Sequence, residues 1–186
     1  MAGLNFSQTK RAYIMLTKLD LCSMAFLKLG EEPIQSFQQD TASAKISRTL
    51  YDTVIDSLLS VHPWRFATSE LRLAKNSNNE FLIPANVLRI LKTDGHIFGN
   101  KIHSDKDSIL ITALVRTAPE DFPSYFISVA ATRLAMEFCL PLQGDKTLFR
   151  TLVSLYETEL QTAKFIDSTM TTSTLIDKFS LISARF

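Results

Sequence analysis

Glycine is scarce in this sequence, with 5 among 186 residues. A loop that cradles phosphates, of Walker or dinucleotide type, needs several glycines within one short span, and no such span is present. A Gly-x-Ser-x-Gly nucleophile elbow is also missing. There are only two cysteines, Cys22 and Cys139. Each lies inside an apolar helical pattern, so both read as buried reduced thiols; pairing them would need a Cα separation that sequence does not give. Neither sign of charge is in excess: 20 Lys and Arg face 19 Asp and Glu, a net charge of +1. That argues against a free-standing nucleic-acid binder, which carries a strong basic surplus. No apolar run reaches the roughly 18 residues of a membrane span. The basic residues near the start, Lys10 and Arg11, precede no long apolar core and no small-residue cleavage site, so no signal peptide is expected. The expected place of synthesis is a reducing cytoplasm.

What remains is ordinary globular material: 46% hydrophobic and 21% charged residues, long enough for one domain with its own core. Its organising stretch is His62-Pro63-Trp64-Arg65-Phe66-Ala67, which holds the only Trp. Pro63 has no N–H and disfavours helix at His62, so a preceding helix must stop there. Trp64 and Phe66, two residues apart, are expected on one side of an extended segment. There they would plug a seam between a helical layer and a small sheet. The competing reading is a surface aromatic site for a ligand or partner.

Helical spacing of Leu19, Cys22, Phe26 and Leu29 predicts a helix over 18–29 closed by Gly30. A further helix from Ser7 is conceivable. Glu31-Glu32-Pro33 reads as an exit turn whose adjacent carboxylates point apart and are solvated, not a general acid/base pair. Ile34 and Phe37 are expected to dip from a loop into the core. A second helix over 41–61, capped by Thr41 or Ser43, carries Leu50, Val54, Leu58 and Val61 beside Tyr51, Ile55 and Leu59.

Beyond Ala67 the period shortens. Leu71 and Leu73 alternate with Arg72 as in a half-buried strand, and Val87 to Leu91 and Ile109 to Val115 are further strands. His96-Ile97-Phe98 and Lys101-Ile102-His103 flank Gly99-Asn100, a hairpin turn that sets His96 opposite His103. Two imidazoles could hold half of a zinc site, but no Cys or carboxylate at ligand spacing completes it, and Asp105 and Asp107 have no evident route back. A pair of surface histidines is the plainer reading.

Helix returns over 122–139, with Asp121 and Pro123 at its start, small residues Ala130, Ala131 and Ala135, and Pro141 expected to end it. A last helix over 145–167 carries Leu148, Leu152, Leu155, Tyr156, Leu160 and Ala163, and the short link predicts an antiparallel pair. Residues 168–174 are hydroxyl-rich and are not expected to hold a helix alone. Leu175, Ile176, Phe179, Leu181, Ile182 and Phe186 follow them, as in a tail that docks on another surface or folds back on its own core. The expected fold class is α+β, mainly a helical bundle of about four helices with a small antiparallel β-sheet or hairpin insertion and an extended C-terminal tail. Residues 1–167 form one domain (helical layer 7–62 and 120–167, β subdomain 66–116) and 168–186 the docking tail.

Several blocks resemble a known family. Ala25-Phe26-Leu27-Lys28-Leu29-Gly30-Glu31-Glu32-Pro33-Ile34 is similar to the opening A-L-x-x-L-G-x-x-P-I block of podovirus tail tubular protein A, the head-to-tail adaptor of short-tailed phages. Tyr51 and Leu58 follow, then Pro63, Trp64, Phe66 and Ala67 in its h-P-W-x-F-A block. Leu82-Ile83-Pro84 with Val87-Leu88-Arg89-Ile90 is similar to its L-P-x-D-x-L-R-v segment. Phe122-Pro123, Leu134-Ala135, Pro141-Leu142 and Gly144 match later blocks. The likeness runs from about residue 18 to 167. Asn86 stands where the family has an acidic residue, the sheet segment is short, and the tail does not align. The resemblance implies a non-enzymatic virion protein without cofactor or metal, assembled in a host bacterial cytoplasm. It also implies a homo-oligomeric ring, typically a dodecamer, between portal protein and tail nozzle. Genomic DNA crosses its lumen on ejection without specific binding, no membrane is involved, and relatives hold tail fibres. Near-neutral charge suits such a conduit, because a basic lumen would retain phosphates. Two other classes stay open: a small helical enzyme or metal-binding hydrolase using His96 and His103, and a monomeric peptide- or nucleic-acid-binding module.

Overall fold

The computed structural model describes residues 15–170 with the exception of Asn79. The expectations for Leu175, Ile176, Phe179, Leu181, Ile182 and Phe186 lie outside these residues, and that of a helix from Ser7 lies largely outside them. Four α-helices and two small antiparallel sheets make a mixed α+β fold.

Helix α1 (Lys18–Leu29) starts where Thr17 and Asp20 cap each other reciprocally, the Thr17 hydroxyl oxygen accepting from the Asp20 N–H and the Asp20 carboxylate from the Thr17 N–H. It stops at Gly30, whose φ of +73° a side chain would resist. Pro33 lies exposed in the loop that follows, and Ile34 beyond it is buried. Thr41 caps helix α2 (Ala42–Ser60) by accepting from the Ala44 N–H. Tyr51, Val54, Ile55, Leu58 and Leu59 form its buried face, while Val61 past its end is exposed.

Strands β1 (Thr68–Ala74), β6 (Ser108–Val115) and β3 (Val87–Thr93) form one sheet in the order β1-β6-β3. Strands β2 (Phe81–Leu82), β5 (Lys101–His103) and β4 (His96–Phe98) form the other, in the order β2-β5-β4. Alternation splits the first sheet's faces: Leu73, Ile109, Ile111 and Ala113 point toward Phe81 and Ile102 of the second sheet and make a small core. On the opposite face Leu114 and Leu88 join the main helical core, so the helical layer covers one end of that face only.

Helix α3 (Ser124–Gln143) is the central element, packed by α1, α2 and helix α4 (Lys146–Thr169). It is long and apolar enough to cross a membrane by length and composition, with a mean hydropathy of 1.3. Within the fold, 56% of that window is buried. Contacts run in opposite order along α3 and α4, from Tyr125–Asp167 through Thr132–Glu159 to Cys139–Asp145, so the two are antiparallel.

Three expectations need correction. Pro141 does not end α3: it sits exposed inside the last turn, where its missing N–H costs one bond, and the αL residue Gly144 closes the helix instead. Helix α4 passes residue 167 and runs to Thr169, with the Ser168 and Thr169 hydroxyls folded back onto the Lys164 and Ile166 carbonyls. Leu155, expected on the buried stripe, is exposed.

Candidate functional site

The hinge is the densest aromatic site in the fold. Trp64 and Phe66 do share a side, but not by an extended path: Arg65–Ala67 is a single 3-10 turn, closed by the Ala67 N–H donating to the Trp64 carbonyl. The turn brings the Trp64 ring 5.1 Å and the Phe66 ring 4.8 Å from the Phe126 ring of α3, with Phe122 completing the cluster. Trp64 is wholly buried, and its indole N–H donates to the Leu58 carbonyl at 3.1 Å, an acceptor in the last turn of α2 that it shares with the Val61 N–H. Ala67 beneath it is also fully buried. Pro63 and Arg65 stay on the surface. The aromatic residues are therefore a plug, and the surface-ligand reading of Trp64 is set aside.

A residue of helix α4 closes this hinge, and sequence analysis missed it. Asp167, near the end of α4, is 1% exposed. Its carboxylate accepts from the Tyr125 hydroxyl at 2.7 Å and from the Arg65 backbone N–H at 3.2 Å, and lies 3.2 Å from His62 Nε2. Burial and the neighbouring carboxylate push the Tyr125 hydroxyl's pKa well up, so it remains a donor. A lone Asp in a helix has no signal of burial, and its partners lie 42 to 105 residues away in sequence. Two further ties join the β unit to α2. Arg116 grips the Asp56 carboxylate with two nitrogens, and an Arg89 guanidinium nitrogen donates to the Ser60 carbonyl at 2.9 Å.

The hairpin places His96 directly opposite His103, as the Gly99-Asn100 turn predicts, with Gly99 at φ +58°. The Phe98 ring leans edge-on against His103 at 5.3 Å. Among the described residues no group of three or more His, Cys, Asp and Glu could hold a metal ion. Both thiols are buried and free. Burial pushes the Cys22 thiol up to about 12, so it stays protonated and unreactive at neutral pH. Burial raises Cys139 as well. Glu31 is not free in solvent: the Gln143 side-chain amide donates to its carboxylate and to the Leu29 carbonyl, both at 2.9 Å.

A cleft of about 510 Å³ lies between β3 and the β4–β5 hairpin, lined by Ile83, Val87, Ile90 and Ile97 among others. A second of about 350 Å³ is bounded by Pro63, Arg65, Thr68 and Leu91. Large apolar side chains also stand in solvent on the helices, notably Leu27 of α1 at 62% exposure and Phe165 of α4 at 69%. Comparison with protein-family models and with curated proteins gives no match to this chain.

Proposed function

We propose that the chain is a non-enzymatic head-to-tail adaptor of a short-tailed phage. Copies would pack side by side into a ring between portal and tail nozzle, with DNA passing through the lumen. The observation that supports this reading is the use made of the Pro63–Ala67 block. The residues that resemble the tail tubular protein A pattern are those that knit helical layer, sheet and α4 into one body. Coupling of this kind suits a subunit held in a ring. The exposed Leu27 and Phe165 give the helical layer apolar surface left over after folding, which heterologous contacts between copies would bury with cyclic closure. The residues beyond 170 are assigned to the portal in this reading.

Negative-stain imaging of the chain mixed with its portal protein tests it: a ring of added density on the portal is expected. Bare portals at saturating chain would overturn the assignment. A chain lacking residues 171–186 is expected to attach more weakly to the portal, and equal decoration would remove the tail from this role. Stoichiometric zinc or manganese in the purified chain would instead favour the His96/His103 enzyme reading.

A further inference from the structure

Two exposed apolar patches of opposite charge stand at opposite ends of this fold. The first is on the outer face of the first sheet. Glu70 and Arg72 of β1 stand opposite Thr112 and Leu110 of β6, and Lys92 of β3 stands opposite Thr112 from the other side, so these side chains share one face. Leu114 on that face is buried by the helical layer, whereas Leu110, four residues back, is 48% exposed. Leu91, at the irregularity between Ile90 and Lys92, is exposed too, and shares the 350 Å³ cleft with Arg65 and Thr68. None of the ion pairs among the described residues takes Arg65, Arg72 or Lys92. Three bases thus surround this patch, against the single carboxylate of Glu70.

The second patch is a stripe of α1. Asp20, Met24 and Leu27 recur at spacings of four and three and are all exposed, and Glu31 and Glu32 follow just past Gly30. The neighbouring bases are drawn elsewhere, Lys18 to Asp52 of α2 and Lys28 toward Glu159 of α4. The Gln143 amide on the Leu29 carbonyl sets the acidic end of this stripe beside the C-terminal end of α3. Trp64 and Phe66 hold the hinge, and with it the sheet, against Phe126 near the start of α3. About 25 Å of helix lies between the two. From this charge complementarity we infer that the α1 stripe of one copy docks on the open end of the first sheet of the next copy. Met24 and Leu27 meet Leu91 and Leu110, and the acids of the stripe face Arg65, Arg72 and Lys92. The apolar pairs supply the buried centre and the charges fix the register. Because unlike patches meet, the contact is heterologous, and each copy offers both halves of it. The inference rests on the adaptor reading and names the contact between neighbouring copies of its ring.

Disulfide trapping tests it. Leu27→Cys and Leu110→Cys are placed together in the full chain, whose native thiols are buried and free. The chain is mixed with its portal protein, oxidised, and run on a denaturing gel without reductant. A disulfide forms only where two Cα atoms come within about 7 Å, and within one copy these two positions lie at opposite ends of the fold, so every link joins two copies. A ladder of more than two linked chains is expected, whereas either single variant should stop at a dimer. Ile97→Cys in place of Leu110→Cys, equally exposed but on the second sheet, should give no ladder. Lys92→Glu alone or Glu32→Lys alone is expected to lower the ladder yield about tenfold, and the two together to restore it. Rings on the portal without a ladder overturn this contact and leave the adaptor reading standing, as does an equal ladder from the Ile97→Cys pair or a yield indifferent to both charge changes. Bare portals overturn the adaptor reading and this contact with it. If Leu110→Cys fails to fold by circular dichroism, Arg72→Cys, paired with it in register, takes its place.

Discussion

Asp167 is one carboxylate serving the Tyr125 hydroxyl, the Arg65 N–H and His62 together. Asp167→Ala leaves the Tyr125 hydroxyl and the Arg65 N–H facing a void, and is expected to lower unfolding free energy by about 2–4 kcal/mol. Asp167→Asn keeps one carbonyl oxygen and should recover part of that loss. Urea midpoints of the three chains measure both. Cys22 gives the chain a second residue-scale signature. Its folded pKa is raised by burial from 9.0 to about 12. The folded chain thus keeps a proton that the unfolded chain releases above pH 9, so stability is undiminished below pH 9 and falls as pH rises toward 12. This thiol alone accounts for about 1.4 kcal/mol per pH unit in that window. Cys22→Ala is expected to flatten the alkaline slope of stability against pH, whatever it does to stability at pH 7.

Among the elements, those with strong local signals were legible from sequence. The 3.6-residue spacing of Cys22, Phe26 and Leu29 with Gly30 behind them defined α1, and Gly99-Asn100 defined the hairpin and its His96–His103 register. Elements set by competition between signals were not. Pro141 is a helix breaker in isolation, yet Gly144 three residues on offers a better terminator, and the helix uses it. The 3-10 turn at Arg65–Ala67 has no periodic signature, since it is stabilised by where the Trp64 and Phe66 rings must go. Glycine also acts here in two distinct ways. Gly30 needs its backbone angle, but a Cβ there would touch nothing within 4 Å; Gly95 has an unremarkable angle, but a Cβ would lie 2.5 Å from Ile102 Cγ2 and 2.6 Å from the His103 carbonyl oxygen. Gly30→Ala is expected to cost about 1 kcal/mol from conformational strain. Gly95→Ala should cost more, about 2–3 kcal/mol, because it overpacks the buried Ile102 and displaces β5. Thermal melts rank the two, and amide exchange at Ile102 should quicken only in the second.

At the scale of the whole molecule, the α+β class and the division into helical layer and β unit follow from where the period changes, near Pro63. The join between them does not. It is made by single long-range contacts, Asp167 to Arg65, Arg116 to Asp56 and Arg89 to the end of α2, and by Leu88 and Leu114 crossing into the helical core. Each depends on residues that no local window contains together. Because the join includes the buried Asp167 and the apolar Leu114, neither layer has a closed core without the other, and the two are expected to melt as one cooperative transition. The chain carries its own means of seeing this. Its sole indole, Trp64, lies sealed at that junction. Its emission is therefore a built-in optical gauge of the interface between layers: blue-shifted while they are together, red-shifting on the same denaturant curve as the far-ultraviolet helix signal.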